Sequence, residues 1–397
     1  MISSLRNAYN QSFSEEKYQA FLQALEAMQP GQLDFKVCET PVFVDRAFKE
    51  KMLEACESII DFICMPSFKE LTQPAIPFGE SIPNEYPSPQ MIAFDFGVCR
   101  STSGELIPQL IEMQGFPSLF AYQCAYPDLL RPFFAIPENH THFLSGYTQA
   151  SFIEQFRKII LGNHAPENVV LLEITPEAQK TRIDFAFTKS YTGIEVVCIT
   201  KLIREGNDLF YMKDGKKTKI ERIYNRVIFD DLKANAAQLG DIVDITSPLN
   251  VEWIPHPNWF YRISKYTLPL IRHAYVPETW FLHEIKQVPA DLENYVLKPL
   301  FSFAGQGVII DLDRATLESI SNPENYILQR KVDYAAVVET PDEPAKVEIR
   351  IMYWWPEGDA RPHAAINLAR LSKGKMVGVR YNKEKTWVGG SVAFFEQ

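Results

Sequence analysis

The chain has 397 residues, of which 46% are hydrophobic and 23% charged; this excludes a disordered tail or a disulfide mini-protein and allows two or three cores. Forty Lys and Arg against fifty Asp and Glu leave a net charge of −10, which opposes non-specific attraction to nucleic acid or anionic lipid and suits magnesium, amines or cationic substrates. Six cysteines form no CxxC pair, there is no N-terminal apolar core of a signal peptide, and no run of about 18 uncharged apolar residues occurs. A zinc knuckle and a dithiol motif are therefore excluded, and a cytoplasmic protein with no membrane partner is expected.

The first eighty residues read as helices. Tyr18, Phe21, Leu22, Leu25 and Met28 recur at helical spacing, with Ser12 and Glu15 placed as a capping box and Pro30-Gly31 as the stop. A second amphipathic run from Asp45 to Cys64 carries the stripe Phe48, Met52, Cys56, Ile59, Ile60 and Ile63. At Met91 the period changes: MIAFDFGVCR and LIPQLIEMQ are two strands around the turn STSGE, a long hairpin from Met91 to Gln114. Residues 117–160 read as aromatic-rich loops and a helix, closing at Gly162. From Asn168, VVLLEI, a helix over TPEAQKTRIDFAFTKSY and IEVVCIT make a βαβ unit with the apolar strands of a covered parallel sheet. A hairpin turning at Asp214-Gly215 follows, with a strand leading to Arg226. Beyond Pro248 come aromatic loops and a helix to about His273. Two strands flanking a glycine loop (YVLKPLFSFAGQGVIIDLD) then precede the strands YILQRKV and AKVEIRIMYWW and a tail alternating strand and turn. The fold class expected is α/β with a substantial antiparallel portion.

Two constellations could carry chemistry. Lys298 precedes the loop Ser302-Phe303-Ala304-Gly305-Gln306-Gly307, where glycines allow backbone N–H groups to approach an anion and the Lys supplies a point charge for phosphate. The spacing is neither GxxxxGK[ST] nor GxGxxG, so the pattern fits a phosphate-clamping hairpin or an ordinary glycine-bearing turn. Glu112 and Gln114, two apart on one strand, share a face that Asp95 on the paired strand can join. Three oxygen side chains there would suit Mg²⁺, or would simply form a solvated strand face. His140-Thr141-His142 reads as a polar loop, and Cys124 has no His at a recognisable spacing for a nucleophile.

Taken together in chain order, these segments resemble a known family. FDFGVCRSTSGELIPQLIEMQGFPSL resembles the metal-binding segment of the circularly permuted ATP-grasp proteins, the group that includes glutathionylspermidine synthases, and YVLKPLFSFAGQGVII resembles their nucleotide segment. The βαβ unit with GNDLFYMKDGKKTKIERIYNRVIFDD is similar to their pre-ATP-grasp region, and YILQRKV to their adenine-side hinge. The resemblance covers about Met91 to the last residue. It implies a permuted ATP-grasp fold with a Rossmann-like pre-ATP-grasp domain: residues 1–88 a helical N-terminal extension, 89–165 metal-binding strands and a helical segment of the core, 166–245 the βαβ domain, and 246–397 the ATP-binding lid and central sheet.

The resemblance further implies ATP and Mg²⁺ as cofactors. Lys298, Ser302, Gly305, Gln306 and Gly307 would meet the phosphates from beside or within a lid loop, the Gln329, Arg330, Lys331, Val332 backbone would meet the adenine edge, and Asp95, Glu112 and Gln114 would hold the metal. The expected activity is ATP-dependent carboxylate–amine ligation of small molecules, in which a carboxylate is activated as an acyl phosphate and an amine displaces phosphate. Two residues depart from the family: Gln114 stands where it has Asn, and Ala93 where the synthases have an Arg that steadies the transferred phosphoryl group. Arg350, Arg370 and Arg226 are the candidate substitutes, with Arg350 foremost because Val347, Ile349 and Ile351 turn to one face and Glu348 and Arg350 to the other. The alternative is a protein that binds nucleotide as a regulatory or scaffold subunit and has lost ligation.

Overall fold

Strand alternation organises the central layer. Along Met91–Arg100, Ile92, Phe94, Phe96 and Val98 turn to one core, whereas Met91 and Ala93 turn to another and Asp95 continues on their side. In the computed structural model, which describes residues 1–301, 307–374, 377, 382 and 384–397, this strand belongs to a five-stranded antiparallel sheet. Its order is Gly389–Ser391, His363–Ser372, Lys346–Trp354, Met91–Arg100, Leu106–Gln114. The long hairpin expected from Met91 to Gln114 is present, with Asp95 opposite Glu112.

One face of this sheet packs on the helix Arg46–Ile63, whose stripe from Phe48 to Ile63 is buried as its spacing predicts. The Asp45 carboxylate caps that helix by accepting the Phe48 N–H at 2.9 Å. The other face is covered at one end by the helices Phe120–Leu130 and Gln149–Leu161, which enclose Ala93, Met352, Trp354 and Ile366. At the other end that face carries Asp95, Glu348, Arg350 and Arg370.

The βαβ unit is part of a four-stranded parallel sheet in the order Glu252–Ile254, Arg222–Asn225, Val169–Glu173, Glu195–Cys198. Its crossover helix is shorter than expected: Pro176 starts a single 3-10 turn, and the α-helix runs Arg182–Thr192. The hairpin at Asp214-Gly215 forms as read, both residues having positive φ. A smaller three-stranded antiparallel sheet, Thr279–Phe281, Tyr326–Arg330, Tyr295–Pro299, is separate in its hydrogen bonding from the central one but shares its core through Phe281 and Ile327.

Several local expectations are corrected. The run carrying Tyr18 to Met28 is the helix Glu15–Met28, as its spacing predicts, but its cap is Ser14, which accepts the Lys17 N–H, rather than Ser12, and a further helix, Ser3–Ser12, precedes it. The helix expected up to His273 is a short helix Asn258–Arg262 and a 3-10 segment Lys265–Leu270, interrupted by Ser264 and carrying Pro269. Residues 117–160 hold two helices rather than one, and His140–Thr141 is a short strand beside Phe395 and Glu396. The second strand of the glycine hairpin reduces to one bridge, Leu297 to Ile309. The first residues are also not helical throughout: Val42–Val44 pairs in parallel with Ala393–Glu396. Among the described residues, no helix is long and apolar enough to cross a membrane.

Candidate functional site

The open end of the central sheet gathers an ionic cluster by strand register. Arg350 lies opposite Asp95, and Glu348 opposite both Gly97 and Arg370, so four charged side chains from three adjacent strands share one face. Asp95 is only 1% exposed, and Arg350 grips it in a fork: Nε donates to Oδ1 at 2.6 Å and Nη2 to Oδ2 at 2.7 Å. Arg370 donates to Asp95 Oδ2 at 3.1 Å and also to Glu348. The second oxygen of Glu348 accepts from the Tyr334 hydroxyl at 2.8 Å.

Burial alone would raise Asp95, but Arg350 and then Arg370 outweigh it and hold the carboxyl below its ordinary value. For Arg370, Glu348 and Asp95 overcome the desolvation that would lower it, so the guanidinium is raised. Burial and then Glu348 raise Tyr334 well above an ordinary phenol. Gly97 makes room for that ring, since a Cβ there would lie 2.8 Å from Tyr334 Cε1.

A β-bulge between Asp95 and Phe96 re-aims the neighbouring strand, so that Asp95 faces Glu112, Phe96 faces Leu110, and Ile111 is extra. The small sheet reaches across at this point. Lys298 donates to the Ile111 carbonyl at 3.3 Å and to Gln329 Oε1 at 2.6 Å. Desolvation lowers Lys298 to about 8, further lowered by Lys265 and opposed by the negative charges of Glu112 and Glu348. Burial lowers Lys265 as well, with Glu112 again opposing. The assembled group is three carboxylates (Asp95, Glu112, Glu348) facing four cationic side chains (Arg350, Arg370, Lys298, Lys265), a cationic balance in an acidic protein.

The other expected site residues are distributed as follows. Gln329 is fully buried in the middle of the small sheet. Arg330 is exposed and donates to the Tyr295 hydroxyl at 3.3 Å, and the Lys331 ammonium donates to the Glu293 carbonyl. The backbone N–H groups of Arg330 and Lys331 are taken by Glu278 and Asn294; Val332 enters no backbone hydrogen bond among the described residues. Gly307 has φ +70° and faces Pro299, whereas Ser302, Gly305 and Gln306 lie outside the described residues.

Arg226 does not join the cluster. It stands at the carboxyl end of the parallel sheet, its guanidinium 4.6 Å from the Phe116 ring centroid and donating to the Pro117 carbonyl at 2.9 Å, while its Nε is buried without a partner. Glu173 ends the adjacent strand, raised to about 7 by burial despite the Ile174 N–H and Arg226. Sequence reading missed Glu173, although a carboxylate closing the apolar run VVLLE is a visible signal; it also missed Tyr334 and Lys265, which carry none.

The metal expectation divides on this geometry. Both Asp95 oxygens are engaged by arginines, so a cation there would have to displace a guanidinium. The side chains of Glu112 and Gln114, by contrast, enter no hydrogen bond or ion pair among the described residues, and their oxygens suit a hard cation. Among the described residues, no three His, Cys, Asp or Glu side chains form a metal-holding group.

No protein-family model and no curated protein matches the sequence. Among solved structures, the chain is similar to a glutathione synthetase-like effector from Globodera pallida determined in its apo form, with a TM-score of 0.59 and 12% identity over 97% of this chain and 98% of that one. At that identity the likeness concerns the fold: a mixed α/β, glutathione synthetase-like architecture, compatible with the ATP-grasp expectation.

Proposed function

We propose that this protein is an ATP-dependent ligase of ATP-grasp type, joining a small-molecule carboxylate to an amine. The observation that carries the reading is Lys298, whose ammonium spans from the small sheet to the bulge at Ile111, beside Glu112 and facing the arginine cluster. Phosphoryl transfer needs positioning and neutralisation of charge more than a nucleophile from the protein. Lys298 would take the phosphates, and the Val332 backbone N–H is available for the adenine edge. Arg370, more exposed than Arg350, is the guanidinium that a transferred phosphoryl group could reach, with Arg350 holding Asp95 behind it. Glu112 and Gln114 would hold Mg²⁺; when bound, the cation supplies positive charge to the phosphate oxygens.

The substrate carboxylate and amine would bind at the carboxyl end of the parallel sheet, between Val169–Glu173 and Arg222–Asn225. There the strand order reverses, and such crevices in α/β sheets take ligands. Arg226 and Glu173 offer a cation and an acid at that point. A second reading, nucleotide binding without ligation, is favoured by the Asp95–Arg350 fork, which removes one carboxylate from metal duty. The experiment is release of ADP and phosphate against a panel of amino acids and amines, with an ATP thermal shift alongside. Turnover supports the ligase, a shift without turnover supports the binder, and the absence of both shift and turnover would refute both readings.

A further inference from the structure

Lys298 and Gln329 are diagonal neighbours across the strands Tyr295–Pro299 and Tyr326–Arg330: Gln329 pairs with Val296, two residues before Lys298 on the same face. Gln329 also pairs with Thr279 on its other side. These side chains form a chain of hydrogen bonds. Lys298 Nζ donates to Gln329 Oε1 at 2.6 Å, Gln329 Nε2 donates to Thr279 Oγ1 at 3.0 Å, and Thr279 Oγ1 donates to the Pro277 carbonyl at 2.8 Å.

The direction of this relay is forced at both ends. An ammonium can only donate, and the Thr279 hydroxyl has spent its single proton on Pro277 and can only accept. The Gln329 amide therefore has one workable orientation, oxygen toward Lys298 and NH₂ toward Thr279. Gln329 and Thr279 are both essentially without solvent access, so no water competes for either end. A buried amide in the middle of an apolar sheet is costly unless it is satisfied, and here its bonds fix the tip of one flexible lysine.

We propose that Gln329 is a positioning residue: through Thr279 it holds the Lys298 ammonium in the place where, on the reading above, nucleotide phosphates bind. The amide reduces the cost of holding a half-buried ammonium there and limits its conformers, so less ordering remains for a ligand to impose. The charged groups facing Lys298 are Glu112 on the strand Leu106–Gln114, Lys265 on the 3-10 segment and Glu348 on Lys346–Trp354; none lies on its own strand.

The test follows Lys298 itself, in the full-length protein without ligand. Trace acetylation at graded pH, read by mass spectrometry at Lys298, gives the midpoint of its deprotonation in wild type, Gln329→Met, Gln329→Glu and Thr279→Val. Gln329→Met removes the acceptor that favours the charged amine, and the midpoint should fall by about one pH unit. Gln329→Glu supplies a charged acceptor, and the midpoint should rise by a similar amount. Thr279→Val should shift it in the direction of Gln329→Met but by less. A residue that only fills space would leave the midpoint unchanged or move it the same way in Met and Glu; either result overturns the proposal, whether or not ATP binds. In the same proteins, affinity for ATP without metal should weaken about tenfold in Gln329→Met. If Lys298→Met leaves ATP affinity unaltered while the opposed midpoint shifts persist, the nucleotide reading fails and the positioning of Lys298 by Gln329 stands.

Discussion

Replacing Arg350 by Met tests whether the cluster is held by charge or only contains it. The substitution keeps an unbranched apolar stem but leaves Asp95, 1% exposed, with a single contact to Arg370 at 3.1 Å in place of two further bonds at 2.6 and 2.7 Å. Breaking one side of a buried pair costs about 3–5 kcal/mol, and the remaining Arg370 contact should bring the loss toward the lower end, about 3 kcal/mol. The pH dependence should change sign. In wild type, Asp95 is held below its unfolded value, so its contribution is present above the unfolded value and is lost as pH falls through the folded one. Without Arg350, desolvation dominates and lifts the folded value above the unfolded one, so acidification should then help the folded state. Urea unfolding at pH 7 and pH 4 measures both effects, and Asp95→Asn combined with Arg350→Met should recover part of the loss. Stability within about 0.5 kcal/mol of wild type, with an unchanged acid slope, would refute the coupling, because that is the scale of a surface substitution.

Three further outcomes are expected. Lys298→Met should fold normally yet lose the thermal stabilisation that saturating ATP confers, about 2.7 kcal/mol at a hundredfold excess over Kd; wild-type-like stabilisation would remove Lys298 from the nucleotide site. Glu173, raised from 4.5 to about 7, makes wild type lose stability as pH rises across that interval, because the folded chain keeps a proton that the unfolded chain releases; Glu173→Gln should flatten that part of the urea-midpoint profile. Gly97→Ala would press a methyl group to within 2.8 Å of the Tyr334 ring, so the Tyr334–Glu348 bond should break; a cost of about 1–3 kcal/mol in denaturant is expected, reduced when Tyr334 is first changed to Ala, where only the Ile111 side chain at 3.2 Å still has to give.

The legible parts of the site were those set by period two. The turning of Arg350 away from Val347, Ile349 and Ile351 follows from alternation alone and agrees with the register found, and so does the shared face of Glu112 and Gln114; that Asp95 faces Glu112 depends in addition on the bulge, since the register nearer the turn, continued unbroken, would set Asp95 against Ile111. The pairing of Asp95 with Arg350 was not legible, because it depends on which hairpins dock, and nothing in either strand names its partner. The bulge at Asp95/Phe96, which turns the Ile111 carbonyl toward Lys298, leaves no mark in LIPQLIEMQ, where the apolar pattern survives on both sides. The helix Phe120–Leu130 was hidden for another reason: nine of its residues, Phe120 to Pro127 and Leu130, are buried, so no polar face creates a 3.6 period. Ser3–Ser12 failed oppositely, its short polar sequence burying only Arg6 and Tyr9.

The order of strands in the central sheet also bears on how the chain reaches this shape. Its middle pair joins Met91–Arg100 to Lys346–Trp354, with Glu348 against Gly97, so two local hairpins made early and late in synthesis must find each other across the whole intervening chain. Each hairpin can close quickly on its own, within about 1–10 μs, but their junction is a contact of high sequence separation that closes only after the second has left the ribosome. Until then the Met91–Arg100 edge offers unpaired backbone beside Phe94 and Phe96, a surface prone to pairing with other chains. Refolding should be slow and concentration-sensitive in yield, and the Asp95–Arg350 fork, which bridges that late junction, is among the last contacts to form.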